Sequence, residues 1–118
     1  MTSSVGVIGL GIMGSAMSAN LVKAGFTVHG YDIAAERRTD LKAAGGNPVS
    51  GVAEIEAPIV IASLPSADAL HSVSTQLTNR CIVVETSTLP IEDKLRARDT
   101  LAKKGITLLD CPLSGTGA

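Results

Sequence analysis

Val5-Gly6-Val7-Ile8-Gly9-Leu10-Gly11-Ile12-Met13-Gly14 is a short apolar run that breaks into glycines at 9, 11 and 14, and a helical pattern follows at once. This is G-x-G-x-x-G placed where a strand turns into a helix. The spacing has a mechanical reading. Gly9 permits a tight turn, Gly11 leaves backbone open to an approaching pyrophosphate, and Gly14 lets the helix pack close to the strand. Amide groups at the helix start then face the approaching anion, with the helix dipole in their favour. An ordinary strand-to-helix turn is the alternative, and the rest of the chain has to decide between the two.

Working outward, Ser4 to Ile8 is near-continuously apolar, as suits a strand covered on both faces. The helix is expected from about Gly11 to Ala24, with Met13, Ala16, Met17, Asn20, Leu21 and Ala24 at helical spacing, small residues at Gly14, Ala16 and Ser18 permitting close packing, and Gly25 closing it. Met13 fits either the core or a cofactor ring, and Asn20 on the apolar side suggests a structural hydrogen bond. Thr27 to Tyr31 reads as a second strand. It ends at Asp32, 18 residues after Gly14, close to the spacing of a carboxylate that binds adenine-ribose hydroxyls. Such a carboxylate repels a 2′-phosphate, so Asp32 argues for NAD over NADP. It also suits an N-cap of the next helix. Arg37 and Arg38 follow, as partners of a 2′-phosphate or as a solvated helix face.

The remaining pattern alternates. A helix is expected from about Ala34 to Ala44, stopped by Gly45-Gly46, then an extended piece from Asn47 to Val49 and a turn or two of helix from Val52 to Glu56. Ile59 to Ala62 reads as a buried strand. The helix after it reaches about Gln76, capped by Ser66 or Asp68. Cys81 to Val84 is a fifth strand, Pro90 suits the first turn of a fourth long helix, and Ile106 to Leu109 is a sixth strand. In that helix Glu92 and Asp93 match the positive end of the dipole, and Lys103 and Lys104 the negative end, giving a solvated helix that Gly105 terminates. Strand–helix alternation of this kind implies an α/β doubly wound parallel sheet of Rossmann type, in the order 3-2-1-4-5-6. In that order the glycine loop, Asp32, Leu64-Pro65, Thr88 and Ser114 all follow carboxyl ends of strands, where open sheets bind ligands.

Composition excludes several classes of function. The 118 residues suit one domain, and 45% are apolar. A net charge of −1 gives no electrostatic footprint for nucleic acid, and two aromatics, Phe26 and Tyr31, give no platform for base stacking. No apolar run approaches membrane-spanning length, and Met1-Thr2-Ser3-Ser4 does not read as a signal peptide. Cys81 and Cys111 are expected to lie on strands. They read as small buried residues of a reducing, cytoplasmic compartment, with no metal-ligand spacing. His29 and His71 read as packing or surface residues.

The ordered set Gly9-Leu10-Gly11-Ile12-Met13-Gly14, Asn20-Leu21-Val22-Lys23-Ala24-Gly25, Gly30-Tyr31-Asp32, Leu64-Pro65, Ser87-Thr88 and Asp110-Cys111-Pro112-Leu113-Ser114-Gly115 resembles the β-hydroxyacid dehydrogenase family, and it covers essentially the whole chain. The family includes 3-hydroxyisobutyrate dehydrogenases, tartronate semialdehyde reductases and the larger 6-phosphogluconate dehydrogenases. The resemblance implies cofactor contacts at Gly9, Leu10, Gly11, Ile12, Met13, Gly14, Asp32, Leu64, Pro65 and Thr88. It implies a substrate carboxylate held near Ser114, Gly115 and Thr116.

Two positions depart from the family pattern. Thr116 stands where a second glycine is usual, and Ala69 where an asparagine often contacts the cofactor. The family's general acid/base lysine belongs to a second, helical domain. Lys23, Lys42, Lys94, Lys103 and Lys104 are expected on helices away from the strand ends, so none replaces it, and no catalytic residue is assigned within this chain. The expectation is therefore the cofactor-binding part of a longer, homo-oligomeric enzyme. That enzyme would move hydride between NAD, or less readily NADP, and a small 3-hydroxy acid. A stand-alone NAD(H)-sensing domain is the reading from another class.

Overall fold

A computed structural model describes residues 3–113. Six strands form one parallel sheet: β1 (Ser4–Ile8), β2 (Thr27–Tyr31), β3 (Asn47–Pro48), β4 (Ile59–Ala62), β5 (Ile82–Glu85) and β6 (Thr107–Asp110). Their order is β3-β2-β1-β4-β5-β6, as the alternation predicts. The chain turns back at the β1–β4 junction, which is the switch point of a doubly wound sheet.

Helices α1 (Ile12–Lys23) and α2 (Ala35–Ala43) cover one face, and α3 (Ala67–Gln76) and α4 (Ile91–Ala102) the other. Two apolar clusters follow from this. Val7, Leu10, Val28 and Leu41 fill the α1/α2 side, while Ile8, Val60, Ala62, Leu70, Val83, Leu101 and Leu108 are part of a larger core under α3 and α4. Val7 and Ile8 are consecutive in β1, so they point to opposite faces and one strand feeds both cores.

The buried face of α1 follows two of the expected small residues rather than the apolar spacing. Gly14 and Ser18 are its buried residues, and Asn20 is exposed. Small side chains win here because the helix must lie close to the sheet. On Gly14 a Cβ would overlap the carbonyl oxygen of Gly9. The Ser18 hydroxyl donates to the Gly14 carbonyl over 2.8 Å, which lets a polar residue sit in the contact.

α1, α2 and α4 end alike. In each, the amide beyond the closing glycine reaches back into the last turn: Phe26 to the Leu21 carbonyl (3.0 Å), Gly46 to Leu41 (2.9 Å) and Ile106 to Leu101 (3.1 Å). α3 has no such glycine. Instead Lys104 Nζ donates to the carbonyls of Ser74 (2.6 Å), Thr75 (3.0 Å) and Leu77 (2.8 Å). The dipole-matched, solvated role expected of Lys104 is thus corrected: it serves the end of a neighbouring helix.

Smaller boundaries also move. Pro90 is the N-cap of α4, one residue outside its first turn, and Ser66 caps α3 by accepting from the Ala69 amide over 3.1 Å. β5 and β6 each run one residue further than expected, to Glu85 and Asp110. Cys111, expected in a buried setting, is exposed; Cys81 is buried. No helix among the described residues is long and apolar enough to cross a membrane. Among them, too, no group of three or more His, Cys, Asp or Glu side chains is arranged to hold a metal ion.

Candidate functional site

The site begins where β1 ends. Gly9 has φ of +94°, a region that L side chains rarely adopt, and a Cβ there would overlap the Ser63 carbonyl oxygen of the β4 exit. The turn is held by the Gly9 amide donating to Tyr31 O (2.9 Å) and the Ser63 amide donating to Ile8 O (2.9 Å). Strands β2, β1 and β4 are therefore tied together at the carboxyl edge before any ligand is considered.

Gly11 is the N-cap of α1, and no described side chain caps that helix or places an acid in its first turn. The amides of Ile12, Met13 and Gly14 consequently have no partner within the helix. A Cβ on Gly11 would meet only Arg37 Nη1, at 3.4 Å, so the space before these amides is open.

Asp32 directly follows β2 and is largely buried. Its Oδ2 accepts the Leu10 amide at 2.8 Å and its Oδ1 accepts the Ala34 amide at 2.8 Å. Ala34 is the N-cap of α2, so the simple capping role for Asp32 is corrected: its carboxylate joins the β2 exit to the glycine loop. The two arginines separate. Arg38 Nη1 donates to the carbonyls of Asp32 (2.7 Å) and Ile33 (3.3 Å), with its guanidinium 5.6 Å from the centre of the Tyr31 ring. Arg37 stands over the site, with Nη1 3.6 Å from Asp32 Oδ2. The solvated-face reading thus fails for Arg38, whereas Arg37 stays half exposed to solvent.

A groove of about 670 Å³ runs along this edge. Gly9, Gly11, Ile12, Met13, Asp32, Leu64 and Pro65 line it. Leu10 and Gly14 do not. The Leu10 side chain lies in the α1/α2 core, and Gly14 abuts Gly9. Thr88 is exposed at the β5 exit, outside the groove wall. Ser114, Gly115 and Thr116 lie outside the described residues. Sequence reasoning missed the contribution of α3, whose Asp68, Ala69, Ser72 and Val73 form the far wall. The only signal for it was Ala69, noted as a departure from a pattern.

One lysine is misplaced by the sequence reading. Lys94 was expected on a solvated helix away from the strand ends. It is buried, and its Nζ reaches the β5 and β6 exits, donating to Ser87 O and Asp110 Oδ1, each at 2.6 Å.

A groove at the switch point, an open glycine turn and a carboxylate after β2 together suit a dinucleotide. The sequence profile described as the NAD binding domain of 6-phosphogluconate dehydrogenase matches residues 4–118. The chain belongs to this family. It is an NAD(P)-binding domain of the β-hydroxyacid dehydrogenase type.

L-threonate dehydrogenase of Cupriavidus necator is 30% identical over 100% of this chain and 43% of its own. The solved structure of Mycobacterium tuberculosis 3-hydroxyisobutyrate dehydrogenase with L-serine superposes with a TM-score of 0.88 at 32% identity, over 98% of this chain and 42% of that one. A Psf3 structure in complex with NADP+ and 2-OPP superposes at 0.84 with 26% identity, over 94% and 43%. The chain thus spans about two fifths of the relatives that it matches. The alternative of a nucleotide sensor has no counterpart among these three.

Proposed function

We propose that this chain is the dinucleotide-binding domain of an oxidoreductase acting on a small 3-hydroxy acid, with NAD favoured over NADP. The observation that carries the reading is the open, uncapped start of α1 beside the Asp32 carboxylate. The amides of Ile12 and Met13 suit the pyrophosphate, because they are donors without helical acceptors and sit at the positive end of the helix dipole. Asp32 accepts two backbone amides and keeps further lone pairs for ribose hydroxyls. Its negative charge disfavours a 2′-phosphate, and Arg37 nearby softens that preference.

Leu64 and Pro65 would border the nicotinamide half, with Thr88 beyond them. Ser114, Gly115 and Thr116 would meet the substrate carboxylate, a positioning role. When bound, the cofactor supplies the hydride chemistry. The general acid/base lysine is assigned to a part of the enzyme outside this chain.

The direct test is titration of the chain with NADH and NADPH, read by nicotinamide fluorescence and by calorimetry. Saturable binding of NADH, tighter than NADPH, is expected. A folded chain that binds neither overturns the proposal.

A further inference from the structure

Outside the groove, one cluster of charge among the described residues centres on two buried groups, Glu85 and Lys94, with the more exposed Asp110 beside them. Glu85 and Asp110 are register partners at the last paired positions of β5 and β6, so two carboxylates stand side by side at the carboxyl edge. Glu85 is fully buried, and Lys94, 4% exposed, enters from α4 between them. Its Nζ lies 2.6 Å from Asp110 Oδ1 and 3.6 Å from Glu85 Oε1. Burying such groups is costly unless they are paired and hydrogen-bonded, and truncating one partner strands the others. Glu85 Oε2 has no hydrogen-bond partner among the described residues.

Lys94 and Glu85 both act on the same turn, and Asp110 holds Lys94. The Ser87 carbonyl accepts from Lys94 Nζ (2.6 Å), and the Ser87 amide donates to Glu85 Oε1 (2.6 Å). The Ser87 hydroxyl accepts the Leu64 amide at 2.7 Å, which fixes the start of the Leu64-Pro65 turn. The chain leaving β6 is tied to the same place. The Cys111 amide donates to Glu85 O (2.8 Å) and the Leu113 amide to Thr86 O (3.2 Å). All three strand exits on this side of the switch point are therefore linked through residues 85–87, and Lys94 Nζ adds a direct tie from Ser87 O to Asp110 Oδ1.

We infer that Lys94 is a positioning residue for the nicotinamide half of the site: it fixes Ser87, and through Ser87 the Leu64-Pro65 turn, against the exit of β6. The inference rests on the dinucleotide reading above, which puts adenosine at Asp32 and nicotinamide at the β4–β5 exits. A rigid turn there lowers the cost of ordering the cofactor's second half. The adenosine half is tied down separately, by the Leu10–Asp32 bond and the Gly9 turn.

The experiment compares NADH with ADP-ribose, which stops short of the nicotinamide ring, on wild type and Lys94→Met. Folding is checked by circular dichroism and thermal melting. The expected result is a loss of roughly tenfold or more in NADH affinity, about one strong interaction's worth, with ADP-ribose affinity held within about twofold. A general loosening of the fold would weaken both ligands together. If Lys94→Met does not fold, Ser87→Ala, which removes only the hydroxyl link to Leu64, is expected to show the same selective loss. An unchanged ratio of the two affinities in the folded variant overturns the inference while leaving the dinucleotide reading intact. Failure of wild type to bind either ligand overturns both.

Discussion

The buried amide of Leu10 donates to Asp32 Oδ2 over 2.8 Å, joining the glycine loop after β1 to the carboxylate after β2. The residue proposed to select the cofactor is thus also a strut of the loop proposed to cradle the phosphates. Asp32→Ala should therefore do two things. It should destabilise the fold by about 1–3 kcal/mol, because the Leu10 amide loses its acceptor. It should also bring the NADH and NADPH affinities together. Denaturant unfolding and paired titrations check these separately; a lowered melting point with an unchanged affinity ratio would make Asp32 a strut alone.

Two of the motif glycines, Gly9 and Gly11, should not be equivalent. Gly9→Ala forces a Cβ into the Ser63 carbonyl at positive φ, and is expected to cost well above the roughly 1 kcal/mol of an ordinary strained glycine replacement. Gly11→Ala meets open space in an extended backbone, and should keep stability within about 1 kcal/mol. The same methyl intrudes where the pyrophosphate is proposed to sit, so NADH affinity should drop about tenfold or more, the loss of one charge-assisted contact. Thermal melts and titrations of the two variants give the comparison.

Lys103 and Lys104 are adjacent in sequence and different in use. Lys104→Met leaves three carbonyls at the end of α3 without their shared donor, and should cost about 1–3 kcal/mol. Exposed Lys103→Met should stay within about 0.5 kcal/mol. Urea midpoints at fixed slope measure both.

The two thiols should react at different rates. Burial pushes the Cys81 thiol up from its ordinary value, so it is both hidden and protonated, whereas Cys111 is exposed. A disulfide reagent at mild alkaline pH should modify Cys111 quickly and Cys81 only on unfolding. The same shift has a stability sign. Because the folded-state value is the higher one, the unfolded chain loses this proton first as pH rises. The contribution of Cys81 is whole below the unfolded value of about 8.5 and is lost as pH climbs towards the folded one. Replacement by Ala should flatten that alkaline slope of the unfolding free energy.

Much of this architecture was legible because glycine punctuates it. Gly9, Gly25, Gly45 and Gly105 mark the turns, and between them strand and helix patterns alternate without ambiguity. The order of strands followed from that alternation. What stayed hidden depends on contacts between elements. On α1 the small residues Gly14 and Ser18 were legible as its close-packing face, whereas the hydrophobic spacing of Met13 and Leu21 pointed to residues that are not its buried ones. Lys94 was illegible for a different reason. It stands among the charges of an outwardly polar helix, and its partners come from two strands whose alignment only the sheet register fixes. The α3 wall of the groove carries no residue types that announce it.

The glycine-closed ends of α1, α2 and α4 all precede strands, so they stand on the sheet edge opposite the groove. Their stop signals are written within a few residues of chain and owe nothing to the loops across the molecule. One rim thus behaves as a chassis and the other as a set of interchangeable fittings. Divergence in what the fittings grip can accumulate on such a frame without retuning where any of those three helices ends.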